Sequence, residues 1–175
     1  MAEIENTSND IKEFNTVCLY VVEKMTGSKI EEGRTYVKEK LTGSYAFSFI
    51  IRVTGKCSGT VIMSLAEKTA LFLASAMMPK ANVKRFDKHA ENAIQELANM
   101  TISRAVGTIA GNREFFSITP PEFVQDNKIS LDEEKAEKIF VTELNTPGGT
   151  IEFNISLFHD TGDFETKQKN FKNPL

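Results

Sequence analysis

The sequence predicts an α+β fold in which a helix-plus-three-strand motif occurs twice. Together the two copies would build one antiparallel sheet carrying two long helices on one face. Three observations lead there. Long helical periodicities open near residues 11 and 87, each ahead of a set of strand-like runs. Hairpin turn chemistry separates neighbouring runs. Residues 59–65, Gly-Thr-Val-Ile-Met-Ser-Leu, are echoed by residues 149–157, Gly-Thr-Ile-Glu-Phe-Asn-Ile-Ser-Leu, with two residues inserted. A degenerate internal duplication leaves such a trace.

The elements follow in order. After a polar, acidic start, the first helix opens behind Asn9 and Asp10. Ile11, Phe14, Val17, Cys18, Val21, Val22 and Met25 recur at helical spacing, and Gly27 ends the run. Strands are expected at 34–40, 45–54 and 58–65, with Gly55-Lys56-Cys57 as a hairpin turn. A short helix over 67–78 closes at Pro79. A longer one spans 87–110, with Gly111 as its stop. Residues 115–123 read as extended, with Pro120 and Pro121 marking an edge or a bend. Residues 138–144 and 150–158 flank Asn145-Thr146-Pro147-Gly148-Gly149, a strong hairpin sequence. The Pro-Pro strand and the charged 34–40 strand are the expected edges, and edges invite pairing with another chain. A homodimer made by joining sheets is the corresponding expectation.

Composition bounds the function classes. The 175 residues are 41% hydrophobic, enough for one domain, read as 1–160, followed by a polar tail over 161–175. A net charge of −3 gives no electrostatic case for nucleic acid or an anionic membrane. No apolar run reaches the roughly 18 residues of a membrane span. Cys18 and Cys57 are too few for a disulfide framework. With no signal peptide, they point to a reducing cytoplasm.

The long helix over 87–110 carries the argument about chemistry. At about 100° per residue, Ala90, Ile94, Leu97, Ala98, Thr101, Ala105 and Ile109 fall on one side, a stripe to be buried on the sheet. Asn92, Glu96, Asn99 and Ser103 fall opposite. Glu96 and Asn99 are three apart and therefore neighbours. Polar residues on an outer helix face are the norm, so spacing alone carries little. Yet Asn is a poor helix former, by roughly 0.5 kcal/mol against Ala, and this one sits mid-helix in an Ala-rich segment.

Residues 91–100, Glu-Asn-Ala-Ile-Gln-Glu-Leu-Ala-Asn-Met, resemble the signature helix of the CheC/CheX/FliY family of bacterial chemotaxis phosphatases. Residues 116–121, Phe-Ser-Ile-Thr-Pro-Pro, resemble the strand that follows it there. The doubled order of helix and three strands is similar to the family's CheC-like fold over about residues 10–158. The first helix holds Glu13 and Thr16 where a second motif would stand, so the chain resembles the one-motif CheX type most. Asn92 departs from the Asp or Ser usual there, and Pro121 comes one residue early. Neither touches a proposed catalytic atom.

That resemblance implies a hydrolase acting on the aspartyl phosphate of a CheY-type response-regulator receiver domain, with Asn99 and Glu96 as its catalytic residues. It implies no cofactor bound by this chain, Mg²⁺ in the receiver partner, and a homodimer. The chemistry is coherent. Phosphoryl transfer is catalysed mainly by positioning and electrostatics. A neutral carboxamide can accept from and donate to water without repelling a phosphoryl dianion, which suits Asn99. Glu96 would be repelled there and is better placed to pair with the receiver's Lys. A non-catalytic CheC/FliN-like binding module or scaffold in chemotaxis or flagellar-switch signalling is the alternative. A dimeric adaptor with Glu96 and Asn99 as ordinary surface residues is the third.

Other features read as structural. His89 and His159 lack metal-ligand spacing, and no zinc site is expected. Cys18 lies in an apolar stripe and reads as core. Residues 80–88 are modestly basic and read as a solvated linker face. The acidic cluster Asp132, Glu133, Glu134 and Glu137 reads as a surface loop.

Overall fold

The computed structural model describes residues 2–55, 57–81, 83–110, 116–126 and 138–159. Helix α1 (Ala2–Thr26) leads into strands β1 (Glu31–Lys38), β2 (Phe47–Gly55) and β3 (Cys57–Leu65). Helices α2 (Glu67–Met77) and α3 (Lys88–Ile109) follow, then β4 (Phe116–Ile118), β5 (Glu122–Gln125), β6 (Ile139–Thr146) and β7 (Gly149–His159). The strands form one antiparallel sheet in the order β1-β6-β7-β3-β2-β4, with β5 also pairing β2.

The order is symmetric about the β3–β7 pair. Strand β2 on one side answers β6 on the other. The first strand of one half, β1, lies against β6 of the second half, and β4 and β5 lie against β2 of the first. This is the arrangement expected of the duplication. The 34–40 and Pro-Pro strands are the two edges, as their charge and prolines require.

Strand alternation separates two faces. Phe49, Ile51, Val61, Met63, Ile151, Phe153 and Ile155 point to one side and share a core with Phe14, Cys18 and Val22 of α1 and Ile94, Leu97 and Ile102 of α3. Both long helices therefore lie on that face, packed against each other. Phe14 meets Phe153 edge-on, ring centroids 5.9 Å apart. Leu41, Ile50, Ile62 and Ile139 form a smaller cluster on the other side.

Three elements differ most from the sequence reading. Helix α1 starts at Ala2, not after Asp10. The polar start has no apolar stripe to announce it, but its backbone continues the helix. Gly27 ends α1 as expected, at φ 66° with its N–H on the Glu23 carbonyl at 2.8 Å. Strand β1 runs from Glu31 to Lys38 instead of 34–40, because its exposed charged residues give no alternation to read. The single 115–123 strand is two, β4 and β5, broken at 119–121 where the prolines cannot donate to a ladder. Thr119 bridges the break: its N–H reaches the Arg52 carbonyl at 2.9 Å and its hydroxyl accepts from the Arg52 N–H at 3.0 Å. The 161–175 tail, the Gly111 stop, Lys56 of the hairpin and the acidic cluster at 132–137 lie outside the described residues. Among those described, no helix is long and apolar enough to cross a membrane.

Candidate active site

Helix α3 is fixed at both its start and its middle. Asp87 caps it, its carboxylate accepting from the N–H groups of His89 at 3.0 Å and Ala90 at 3.1 Å. Those bonds hold the Asp87 carboxyl below the usual range, the Ala90 bond most. Phe86, just before the cap, packs on Phe47 of β2 and Phe123 of β5, with centroids 4.4 and 5.5 Å apart. Further along, the Gln95 amide donates to the Pro121 carbonyl at 3.3 Å, tying the helix to the bend between β4 and β5.

The read stripe is inside: Ala90, Ile94, Leu97, Ala98, Thr101 and Ala105 are buried. Ile102 and Val106 are buried as well, and Ile109 only half so. The buried arc is wider than a sheet alone requires because α3 also packs along α1.

On the opposite face Asn92 and Glu96 are exposed, and Asn99 and Ser103 are half-exposed. Neighbours three apart on a helix have Cβ atoms about 5–6 Å apart. The Glu96 and Asn99 side chains make no hydrogen bond or ion pair with the described residues. Around them the outer face is small or flexible: Ala93, Met100, Ser103 and Gly107. A carboxyl side chain and a carboxamide thus stand side by side on a rigid rod, unengaged by any described residue. In α1, Glu13 and Thr16 are also exposed, but the Thr16 hydroxyl is spent on the Lys12 carbonyl at 2.9 Å.

The remaining candidates sort as follows. Cys18 and Cys57 are fully buried, and burial raises both thiols, Cys57 to about 11. Neither is a nucleophile at neutral pH. His89 is exposed beside Asp87, its Nδ1 4.0 Å from the carboxylate. Among the described residues no three His, Cys, Asp or Glu side chains converge as a metal group would. One surface had no clear sequence signal. Lys84, Arg85 and His89 line a depression at the start of α3, and only the basic run ahead of a helix cap could have drawn attention to it.

Fold and site together define a duplicated α+β domain with a polar pair on the outer face of one long helix. The chain belongs to the family described as chemotaxis phosphatase CheX, whose model matches residues 47–145. That match includes all of α3 and both edges of the β4–β5 bend. The CheY-P phosphatase CheX of Thermotoga maritima is 33% identical over 82 residues, 47% of this chain and 53% of that protein. The chain thus matches about half the length of that curated relative. The chemotaxis protein CheX of Desulfovibrio desulfuricans shares the fold at a TM-score of 0.71 and 17% identity, over 86% of this chain and 98% of that one. A CheX from Borrelia burgdorferi, solved as a CheX–CheY–BeF₃–Mg²⁺ complex, matches at a TM-score of 0.67 and 25% identity, over 84% and 96% of the two chains.

Proposed function

We propose that this chain hydrolyses the aspartyl phosphate of a CheY-type receiver domain, with Asn99 positioning the water and Glu96 setting the register of docking. The observation that carries this reading is the Glu96–Asn99 pair on the outer face of α3, unengaged by any described residue, in a chain of the CheX family. The Thermotoga relative is a CheY-P phosphatase, and the Borrelia relative was solved with CheY, BeF₃ and Mg²⁺. Both support the substrate.

The step is a simple displacement. Water oxygen bonds to phosphorus as the bond from phosphorus to the aspartyl oxygen breaks. The receiver's carboxylate leaves, and both water protons end on inorganic phosphate. No base is needed early in a loose transition state. What the receiver lacks is a group behind the phosphorus. The Asn99 carboxamide oxygen accepts from the water while its NH₂ donates to water or a phosphoryl oxygen. Glu96 reaches the receiver's Lys as a charge-assisted contact, giving register and specificity. Mg²⁺ stays with the receiver.

Phosphate release from a phosphorylated receiver tests the assignment. Asn99→Ala should lower the rate on the order of 10²-fold or more. The same change should leave thermal stability equal or slightly higher, since Ala prefers helices. Glu96→Ala should mainly weaken productive docking. An Asn99→Ala variant as fast as the parent would remove the water-positioning role. Docking without phosphate release by the parent would favour the scaffold reading instead.

The working assembly is a cytoplasmic homodimer joined through an exposed sheet edge, either β1 or β4–β5. Light scattering on the full chain should give twice the mass of one chain. A single-chain mass at tens of micromolar would rule the dimer out.

A further inference from the structure

The basic run at 80–88, a solvated linker face by sequence, lies in the fold at the start of the helix that carries Glu96 and Asn99. There it borders a depression of about 560 Å³. Met78, Ala81 and Val83 supply an apolar lining; Lys84, Arg85 and His89 supply exposed polar ends, and the capping Asp87 also lines it. Residues 79–89 hold Lys80, Lys84, Arg85 and Lys88 against one carboxylate, Asp87, in a chain of net charge −3. Asp87 is engaged in capping α3. Lys88 is paired with Glu91 at 2.7 Å. Lys84 and Arg85 form no ion pair among the described residues. Cations near the start of a helix also run against its dipole. Arg85 helps to hold the capping Asp87 carboxyl low, but neither cation otherwise serves α3, and their placement calls for a partner.

Helix geometry puts this surface within reach of the candidate active site. At about 100° per residue, His89 lies within about 20° of Glu96 around the helix, and about 10 Å from it along the axis. An ordinary interface of about 800 Å² a side covers both places at once. The partner's reacting face is chemically defined. An aspartyl phosphate site that holds Mg²⁺ presents phosphoryl oxygens and further carboxylates, because Mg²⁺ takes oxygen ligands. It is the acidic face of the receiver that must approach α3.

We propose that Lys84 and Arg85, with the depression beside them, form a second docking surface for acidic side chains flanking the receiver's phosphoaspartate. This rests on the phosphatase reading above. The cations steer the receiver and hold one end of the interface while Glu96 and Asn99 engage the phosphoryl centre.

Steady-state dephosphorylation of a phosphorylated CheY-type receiver, run across a salt series, tests it. The parent's KM should rise steeply with salt. At low salt, the double variant K84A/R85A should raise KM about tenfold with kcat within about twofold, and flatten the salt dependence. K84E/R85E should raise KM further. The matched variant K40A/K68A removes the same charge from the loop after β1 and from α2, and should leave KM near the parent's. Equal KM and equal salt dependence for K84A/R85A and parent would overturn the proposal while leaving the phosphatase reading intact. So would an equal loss in K40A/K68A, which would make the effect one of bulk charge. If the parent's KM ignores salt, the proposal fails without recourse to any variant. If the parent releases no phosphate, the phosphatase reading falls first and the docking surface with it.

Discussion

Glu143 and Glu152 stand directly opposite each other on β6 and β7, both buried, on the sheet face away from the helices. Like charges in that position repel. Each is answered differently. Arg34 of β1 grips Glu143 with two hydrogen bonds, Nε to Oε2 at 3.0 Å and a terminal nitrogen to Oε1 at 2.7 Å. Glu152 instead accepts from the Ser44 N–H at 3.0 Å, the Asn154 amide at 2.7 Å and the Tyr36 hydroxyl at 3.3 Å. The Arg34 hydrogen bonds hold the Glu143 carboxyl below its ordinary range, against the opposing effect of burial. A carboxyl depressed in the folded state contributes stability above its unfolded pKa, about 4.3, and loses it as pH falls through the folded value. Melting temperature measured from pH 7 down to 3 should therefore fall less steeply below about pH 4.3 in Glu143→Gln than in the parent. The variant should also start lower at pH 7. Identical slopes would mean the pair adds nothing. Arg34 is largely exposed, so the effect is screened and salt-sensitive.

Among the elements, β3 is the one on which both halves depend, since it pairs β2 of its own half and β7 of the other. Gly59 lies within its pairing with β7, opposite Leu157, at φ 139°. A Cβ there would meet the Ser156 carbonyl oxygen at 2.0 Å. The three nearest atoms are all backbone of Ser156 and Leu157, which leaves nothing soft to give. Gly59→Ala should lower stability by about 1–3 kcal/mol in chemical denaturation, since it adds both strain and a forced shift in the central pair. An unchanged midpoint would show that the two strands separate here at no loss. Gly149, the matching residue of the other half, also has positive φ, at 133°. The glycines that marked the repeat in the sequence are thus places where both copies need a backbone other residues resist. Helix α3 was legible for a different reason. Its buried side has a 3.6-residue period and its start at Asp87 was read, so only the wider buried arc, which adds Ile102 and Val106, went unread. Helix α1 was half legible, because the polar residues ahead of Ile11 carry no stripe.

For the whole molecule, sequence by itself determined the class, the duplication, which strands are edges and which helix face holds Glu96 and Asn99. Each of these is written in local period, turn chemistry or charge, quantities that a chain carries before it folds. Tertiary structure alone decided the rest. It exchanges the outer strands between halves, so that β1 meets β6 and β4–β5 meets β2. It anchors α3 through Phe86 on Phe47 and Phe123 and through Gln95 on Pro121. It also brings the apolar residues after α2 beside Lys84 and Arg85 to make a lined depression at the start of α3. The physical reason is the range of the interactions. Pairing across more than 100 residues, as between Arg34 and Glu143, leaves no mark on the residues near either partner, and only the closed sheet brings them within reach.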